Sequence, residues 1–267
     1  MMRRPSATRC GGVHPSAVIE GDVRLARGVS VGPGAVLRGP LRVGPGTAID
    51  ALAVVAGPAV LGKGNRIFPG AVLGGPPQHR EHLGEPTRLV VGDGNVFREH
   101  VTVHRGTRKG GGVTRIGDGN VLMTGVHVAH DCRVGSSVEM ANGVTLGGHA
   151  TVGDGAVFGG LAAVAPFVRI GERAMVAGGA MVDRDVPPFC VMRGDRARVA
   201  ALNLVGLRRA GVPAAAIGAL REAFRILFVD RLPWAEALAA CRRLRGRDPR
   251  VAILLRFLRA SKLGVRR

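Results

Sequence analysis

Residues 116–152 read IGDGNVLMTGVHVAHDCRVGSSVEMANGVTLGGHATV, and every sixth position of this stretch is apolar. The same spacing begins at Val13 and continues, with two interruptions, to Val182. A period of six matches neither an amphipathic helix nor an alternating sandwich strand, so it predicts a solenoid of short, similar steps. The apolar positions are Val13, Ile19, Leu25, Val31, Leu37, Val43, Ile49, Val55, Leu61, Ile67, Leu73, Val91, Phe97, Val103, Ile116, Leu122, Val128, Val134, Met140, Leu146, Val152, Phe158, Val164, Ile170, Val176 and Val182.

Turn-forming residues follow the apolar positions, as in Val31-Gly-Pro-Gly and Ile116-Gly-Asp-Gly-Asn. Glycine and asparagine tolerate positive φ, and proline pre-sets a turn. Each hexad therefore reads as a short strand with one inward aliphatic side chain, followed by a corner. Three hexads would close a triangular coil of about eighteen residues, and stacked coils would form parallel strands around an aliphatic core.

Two insertions and a tail depart from this period. Residues 74–90 and 104–115 are polar or glycine-rich and read as loops; such loops on a rigid scaffold either carry binding residues or are tolerated insertions. After Pro187-Pro188 the apolar spacing becomes helical. We predict a mainly β solenoid domain over residues 1–190 and a helical domain over residues 197–267 that caps its open end. The helical stripes are Ile217, Leu220, Phe224 and Phe228, then Val251, Leu254, Leu255 and Leu258.

The formal charge is +19, and arginine supplies almost all of it, since the chain has only three lysines. Biased nucleotide composition explains such a charge as well as an acidic partner does, whether a diphosphate, an acidic carrier protein, nucleic acid or an anionic membrane. One Trp and no Tyr leave little for base stacking, and no nucleic-acid-binding motif is present. We therefore expect no nucleic-acid partner.

The cysteines and the apolar stretches indicate the compartment. Cys10, Cys132, Cys190 and Cys241 are widely spaced, and no apolar signal segment follows the basic start. A reducing, cytoplasmic location is expected. No apolar stretch approaches the ~20 residues needed to cross a bilayer, so any membrane contact would be peripheral.

The candidate chemistry lies in residues 127–132, HVAHDC. With an eighteen-residue coil, His130 lies beneath Gly148, and Asp131 beneath His149, each about 4.8 Å apart along the axis. A histidine accepts a proton near neutral pH, a carboxylate holds its tautomer, and a glycine N–H can stabilise an oxyanion. The alternative interpretation is that these histidines and this carboxylate are ordinary polar residues at a corner of the coil, with no catalytic role.

Four motifs carry a resemblance to a known family: residues 84–87 (GEPT), 98–107 (REHVTVHRGT), 127–132 (HVAHDC) and 185–188 (DVPP). With the hexads, they make the chain resemble the acyl-carrier-protein-dependent UDP-N-acetylglucosamine O-acyltransferases of lipid A biosynthesis. The resemblance implies a left-handed parallel β-helix, a hand that the period alone does not provide because parallel crossovers are usually right-handed. It also implies a homotrimer whose clefts lie between subunits.

The same resemblance implies roles for individual residues. His130 would be the general base for the glucosamine 3-hydroxyl, Asp131 its orienting carboxylate, and Gly148 the oxyanion donor. The donor would be a 3-hydroxyacyl thioester of acyl carrier protein, and no metal or cofactor is expected. His127, His149, Gln78, Asn203 and Arg209 would line the substrate cleft, and Gly178 would leave the acyl-chain groove open.

Departures from the family pattern fall on the acceptor side. His79 and Glu81 stand where an acidic residue and a lysine are usual, and Ala165, Pro166 and Val205 also differ. A paralogue that acts on another UDP-sugar, such as an amino-substituted one, is therefore an alternative. Others are a non-catalytic protein-binding paralogue and a zinc hydratase of the gamma carbonic anhydrase type, with His127, His130 and His149 as ligands.

Overall fold

The computed structural model describes residues 12–267, so Cys10 lies outside the described residues. The described chain winds into a mainly β parallel solenoid, followed by helices. Each coil contributes one short strand to each of three faces, and hydrogen bonds join each strand to the coils above and below. In the described residues the three faces hold eleven, nine and eight strands.

The strand bounds follow the hexads. The first face contains Gly12–Val13, Ser30–Val31, Ala48–Ile49, Arg66–Ile67, Val96–Phe97, Val121–Leu122, Glu139–Met140, Val157–Phe158, Met175–Val176, Cys190–Arg193 and Arg198–Leu202. The second contains Val18–Glu20, Val36–Arg38, Val54–Ala56, Val72–Gly75, Thr102–His104, His127–Val128, Thr145–Leu146, Ala163–Val164 and Met181–Val182. The third contains Val23–Leu25, Leu41–Val43, Ala59–Leu61, Arg88–Val91, Val113–Ile116, Arg133–Val134, Thr151–Val152 and Arg169–Ile170.

The predicted aliphatic ladder forms the core. Its members from Val31 to Val182 are buried, and strand register stacks them directly, as in Val128 on Leu146. Val13 and Ile19 are exposed, because no coil lies below theirs within the described residues. Burial of apolar surface on this scale is the main stabilising contribution to folding.

A second inward ladder is polar, and the period of six aliphatic residues gives no sign of it. Thr47, Asn65, Asn95 and Asn120 are all buried at one corner of successive coils. Asn95 Nδ2 donates to Asn65 Oδ1 at 3.0 Å, and Asn120 Nδ2 donates to Asn95 Oδ1 at 2.9 Å. The side-chain oxygens also accept backbone N–H groups of the next coil, so these buried polar groups are satisfied.

The coils stay stacked across both insertions. Leu73 pairs with Val103 and Leu61 with Val91 across the first, with one register shift between Leu73 and Gly75, and Val91 pairs with Ile116 across the second. The strands extend into the ends of both predicted loops, so the irregular segments are residues 76–87 and 105–112. Both loops therefore protrude from an otherwise regular solenoid.

The C-terminal region begins with an antiparallel hairpin, Cys190–Arg193 with Arg198–Leu202, which extends the first face. The predicted helical segment 197–267 therefore starts with a strand, because the apolar residues of 198–202 pair with 190–193, and the helices begin at Leu204. They are α1 (Leu204–Arg209), α2 (Ala214–Phe224), α3 (Trp234–Ala240) and α4 (Pro249–Arg259), with a π turn at Arg225–Val229 and a 3-10 turn at Cys241–Leu244.

The helices share a hydrophobic core that includes Leu220, Leu227, Leu254 and Leu258. The segment after α4 returns to the last coils, where Ser261 Oγ donates to Asp185 Oδ2 at 2.7 Å. None of the helices within residues 12–267 combines the length and apolar character needed to cross a membrane.

Candidate active site

His130 and Asp131 occupy the corner that joins the second and third faces, directly after strand His127–Val128. His130 Nδ1 lies 2.8 Å from Asp131 Oδ2. A carboxylate accepts only, so Nδ1–H is the donor, and Nε2 of the neutral ring carries the lone pair. This arrangement leaves an accessible basic nitrogen on His130, in a ring whose tautomer is set by its sequence neighbour.

Asp131 is itself held by residues from the 105–112 loop and the strand after it. The Thr107 N–H donates to Oδ1 at 2.8 Å, and the Thr107 hydroxyl donates to Oδ2 at 2.7 Å. The Asp131 N–H donates to Thr114 Oγ1 at 2.8 Å. Gly110 lies so close that an added Cβ would be 2.0 Å from the carboxylate carbon. The loop thus packs against the buried carboxylate and fixes its orientation.

Gly148 lies one coil above His130, as the eighteen-residue coil predicts. A Cβ at Gly148 would lie 2.6 Å from His130 Cε1 and 2.9 Å from Nε2. Only glycine lets the imidazole lie this close to the main chain. The Gly148 N–H has no hydrogen-bond acceptor within residues 12–267. A free N–H therefore stands beside the basic nitrogen.

The corner owes its shape to backbone conformation. Asp131, His149 and Phe167, at equivalent positions of successive coils, have φ values of 61°, 63° and 66°. Backbone hydrogen bonds of 3.0 Å from His149 N to His130 O and from Phe167 N to Gly148 O stack these corners. The repeat therefore brings residues eighteen positions apart into contact.

Four further histidines surround the pair. The rings of His79 and His149 each lie 5.3 Å from that of His130, edge to face. His127 takes part in a 2.8 Å hydrogen bond with the Thr102 hydroxyl, and its ring is 5.2 Å from that of His104.

Burial sets the charge of three of these rings. Desolvation lowers the pKa of His104, His127 and His149; nearby His130 lowers each further, whereas Asp131 partly opposes the shift at His149. These imidazoles are therefore neutral at neutral pH. They line the site as uncharged hydrogen-bonding groups that suit a polar substrate.

Cys132 is not part of this chemistry. Burial raises the pKa of its thiol to about 12, and Sγ lies 3.2 Å from the Gly147 carbonyl oxygen. A thiol in this state is a poor nucleophile.

The predicted cleft residues divide between the three edges of the solenoid. Gln78 is exposed on the 76–87 loop and precedes His79, whose ring contacts that of His130. Asn203 lies at the edge between the third and first faces, where Nδ2 donates to Arg173 O at 2.8 Å and Oδ1 caps α1 at Gly206 N. Arg209 is exposed at the end of α1. Gly178 lies at the remaining edge, where a Cβ would be 3.3 Å from Gly160 O. A single chain does not bring these last three to His130.

The zinc-site hypothesis is not supported in its predicted form. Within the described residues, the donors close enough to share one cation are His130, Asp131 and His149, which all lie within 4.8 Å, and His127 is not among them. The Asp131 oxygens already accept three hydrogen bonds. The carboxylate is therefore better placed to orient His130 than to bind a metal.

Several site residues could not be predicted from the sequence. Thr107 and His104 lie within the REHVTVHRGT motif, but their spacing to Asp131 and His127 has no periodic signal. Thr114, Gly110 and Phe167 have no distinguishing pattern either. Phe167 stacks on His149 with 4.4 Å between ring centroids and 7° between planes. Coil stacking and loop return, both tertiary features, create these contacts.

Comparison with known families shows which proteins this chain is similar to. Residues 185–266 match the model described as UDP N-acetylglucosamine O-acyltransferase, domain 2, and residues 114–148 match the bacterial transferase hexapeptide model. The acyl-carrier-protein-dependent UDP-N-acetylglucosamine O-acyltransferase of Myxococcus xanthus (strain DK1622) is 43% identical over 255 residues, 96% of this chain and 99% of that protein. The corresponding enzyme of Anaeromyxobacter sp. (strain Fw109-5) is 46% identical over 191 residues, 72% of this chain and 74% of that protein.

Solved structures of the same family superpose closely on this chain. The UDP-N-acetylglucosamine O-acyltransferase of Moraxella catarrhalis RH4 superposes with a TM-score of 0.93 at 35% identity, covering 96% of this chain and 99% of that one. The UDP-N-acetylglucosamine acyltransferase of Campylobacter jejuni gives 0.90 at 34% identity, with the same coverage. The chain therefore belongs to the family of acyl-carrier-protein-dependent UDP-N-acetylglucosamine O-acyltransferases.

Proposed function

We propose that this chain transfers a 3-hydroxyacyl group from acyl carrier protein to the glucosamine 3-hydroxyl of UDP-N-acetylglucosamine, the first step of lipid A biosynthesis. The observation that carries the proposal is the contact between His130 and Gly148. It sets a basic nitrogen beside a free main-chain N–H, the two groups that acyl transfer from a thioester requires.

The mechanism follows from this geometry. His130 Nε2 accepts the proton of the sugar hydroxyl as its oxygen attacks the thioester carbonyl carbon. The Gly148 N–H donates to the oxyanion of the tetrahedral intermediate. Collapse forms the ester and breaks the C–S bond, and the imidazolium returns its proton to the leaving thiolate. Asp131 stabilises the imidazolium and keeps Nδ1 protonated throughout.

The remaining cleft residues fit a homotrimer, which we include in the proposal. Asn203, Arg209 and Gly178 lie on edges away from His130 in one chain, and a neighbouring copy could bring its own edges to this site. Asn203 and Arg209 would then bind the nucleotide, with His127, His149 and Gln78 nearest the sugar. The acyl chain would run toward Gly178, where the absence of a side chain leaves space for a long chain.

A cytoplasmic location belongs to the same proposal. Cys132, Cys190 and Cys241 are buried free thiols, the state that a reducing compartment maintains.

A second acceptor is the main alternative, because His79, which stands where an acidic residue is usual in the family, lies against His130. An amino-substituted UDP-sugar would place a nitrogen nucleophile at the same point. The reaction type would be unchanged.

The decisive experiment is an acyl-transfer assay on the purified protein, with 3-hydroxyacyl carrier proteins as donors and a panel of UDP-sugars as acceptors. UDP-N-acetylglucosamine should be acylated, and His130→Ala should reduce kcat by about 10²–10⁴-fold because the general base is lost. Circular dichroism and particle mass should not change. Full turnover by His130→Ala would remove His130 from the mechanism, and preference for the 3-amino analogue would reassign the acceptor.

A further inference from the structure

The outward side chains of the third face are basic, whereas those of the other two faces are mainly apolar. The residue just before each inward aliphatic side chain points outward. On the third face these residues are Arg24, Arg42, Val60, Val90, Arg115, Arg133, Thr151 and Arg169. At the same position in the described residues, the second face has no arginine, and the first face has only Arg66 before its hairpin. The five arginines of the third face form an arginine stripe, which a uniform excess of arginine does not explain.

Strand register sets members of the arginine stripe directly opposite one another. Arg24 pairs with Arg42, and Arg115 with Arg133, on neighbouring strands. Like charges at opposed positions lower stability, so such rows favour a bound counter-charge. Asp22 supplies one, at 3.1 Å from Arg24. Arg42, Arg115 and Arg133 are exposed, and within residues 12–267 none of them has an acidic partner. The chain itself therefore leaves most of this charge unneutralised.

A row of carboxylates at the edge of the same face does not pair with the stripe. Asp93, Asp118 and Asp154 lie just beyond their strands, where the third face turns into the first. Their Oδ1 atoms accept the N–H groups of Lys63, Asp93 and Ser136 at 2.9, 2.7 and 2.8 Å. These carboxylates hold successive corners together, and the face beside them remains basic.

The stripe continues onto the helical domain. Arg169 Nη1 donates to Ala260 O at 3.0 Å, at the end of α4. Ala260 also lines an open cavity of about 330 Å³, whose other lining residues include Arg245, Arg256 and Arg259. These three arginines are exposed and form no ion pair within the described part of the chain. Phosphate oxygens are the acceptors that guanidinium groups bind most strongly, so this cavity suits a phosphate group.

The third face is also the one that assembly would leave accessible. Charged residues are depleted from the buried centres of subunit interfaces. The mainly apolar outward rows of the first and second faces therefore suit contact between copies of the chain, and the third face suits a different, anionic partner.

We propose that the third face, together with the arginine cavity beside α4, docks on a bilayer that contains anionic phospholipids. Its eight strands span about 34 Å along the solenoid axis, so the charge is spread over an extended sheet surface. Such an array fits a planar anionic surface, to which each arginine adds attraction. Val60, which is 45% exposed, lies within the stripe and adds apolar contact.

Two other anionic partners fit this surface less well. The outward positions of the third face hold no aromatic residue among the described strands, so the bases of a nucleic acid have nothing to stack on. A carrier protein must bind where its thioester reaches His130, whereas the stripe runs along the whole solenoid from Arg24 to Arg169.

Co-sedimentation of the purified chain with lipid vesicles tests the inference. Vesicles of phosphatidylglycerol and phosphatidylethanolamine should bind the protein at about 0.15 M salt, and vesicles of phosphatidylcholine alone should not. About 0.5 M salt should release the protein, because screening weakens the attraction. Arg42→Gln, Arg115→Gln and Arg133→Gln combined should lower the partition coefficient about 10²-fold, since each arginine contributes about fivefold.

The matched control combines Arg66→Gln, Arg193→Gln and Arg221→Gln. It removes the same charge from the first face and from α2, and it should bind the anionic vesicles nearly as the wild type does. Light scattering verifies that both triple variants keep the wild-type particle mass. An equal loss of binding in the two triple variants would indicate an effect of net charge alone and would overturn the inference.

Further outcomes separate this surface from other partners and from acyl transfer. Equal binding to phosphatidylcholine and to anionic vesicles would contradict a charge-based surface. Unchanged vesicle binding by the stripe variant with a raised KM for acyl carrier protein would assign the face to the carrier protein instead. Tighter binding to a single-stranded oligonucleotide than to vesicles would assign it to nucleic acid. His130→Ala should bind vesicles as the wild type does, so failure of the proposed acyl transfer leaves this inference intact.

Discussion

At the scale of single residues, the site depends on side chains that are absent as much as on those present. Gly148 and Gly110 leave the space in which the His130 imidazole and the Asp131 carboxylate lie. Asp131 in turn accepts hydrogen bonds from Thr107 and from His130, which fix the orientation of the His130 ring. The chemistry is therefore sensitive to small changes in shape.

Gly148→Ala should reduce kcat by about 10²-fold or more, because a methyl group would displace the His130 ring and crowd the N–H that we propose as the oxyanion donor. The steady-state rate of acyl transfer measures the effect. Gly218→Ala, at an exposed position of α2, is the control, since among the described residues an added Cβ there would meet nothing within 4 Å beyond its own helix. Similar rates for both variants would contradict the close contact.

The lowered histidine pKa values predict how stability depends on pH. Burial lowers the pKa of His104, His127 and His149, so the unfolded chain binds more protons than the folded protein below about pH 6.5. This contribution to stability is complete above that pH and is lost as the pH falls through the lowered pKa values. Thermal midpoints should decrease from pH 7.5 to pH 5.5, and the decrease should be smaller in His127→Gln. Equal slopes for the two proteins would count against a buried neutral His127.

At the scale of elements, an aliphatic ladder runs through the solenoid, and the coils that carry Thr47, Asn65, Asn95 and Asn120 add a polar one. The aliphatic ladder supplies most of the buried apolar area. The asparagine ladder joins successive coils through side-chain and backbone hydrogen bonds, so it constrains the register between coils. Register matters for function, because it aligns Gly148 with His130.

Asn95→Leu tests the polar ladder. It leaves the Asn120 N–H and side-chain amide without their acceptor, and it removes one of the two donors to Asn65 Oδ1, at a cost of about 2–5 kcal/mol in the free energy of unfolding. Urea unfolding followed by circular dichroism measures this change. Asn142→Leu, at an exposed corner, should change stability by less than about 0.5 kcal/mol. A comparably small effect at Asn95 would show that the ladder is dispensable.

At the scale of the whole molecule, the proposed site needs two copies of the chain. His130 lies on one edge of the solenoid, and Arg209 is exposed at the end of α1, which Asn203 anchors at another edge. The proposed trimer would join these edges, so each site would combine residues from two subunits. The proposal predicts complementation between variants.

Light scattering should give about three times the 27.7 kDa mass of one chain. His130→Ala and Arg209→Ala should each be impaired alone, but co-refolded in equal amounts they should regain about one quarter of wild-type activity, because random assortment leaves that fraction of interfaces intact. No recovery in mixed trimers would place both residues in one subunit's site, and a monodisperse active monomer would exclude the shared cleft.

The sequence by itself determined the solenoid, its coil length and the pairing of His130 with Gly148. A period of six repeats the same strand and corner, so contacts between residues eighteen apart follow from local geometry alone. It also located both insertions, although the ends of the strands extend into them. It placed the start of the helices at residue 197, where a strand precedes Leu204.

Only the tertiary structure decided which loop residues contact the site. These contacts are those of Thr107 and Gly110 with Asp131, and that of His79 with His130. The tertiary structure also decided that Asn203, Arg209 and Gly178 lie on other edges. Those contacts arise where loops and helices without a repeat fold back on the solenoid. Because these segments have no regular residue spacing, the sequence alone does not predict which solenoid residues they contact.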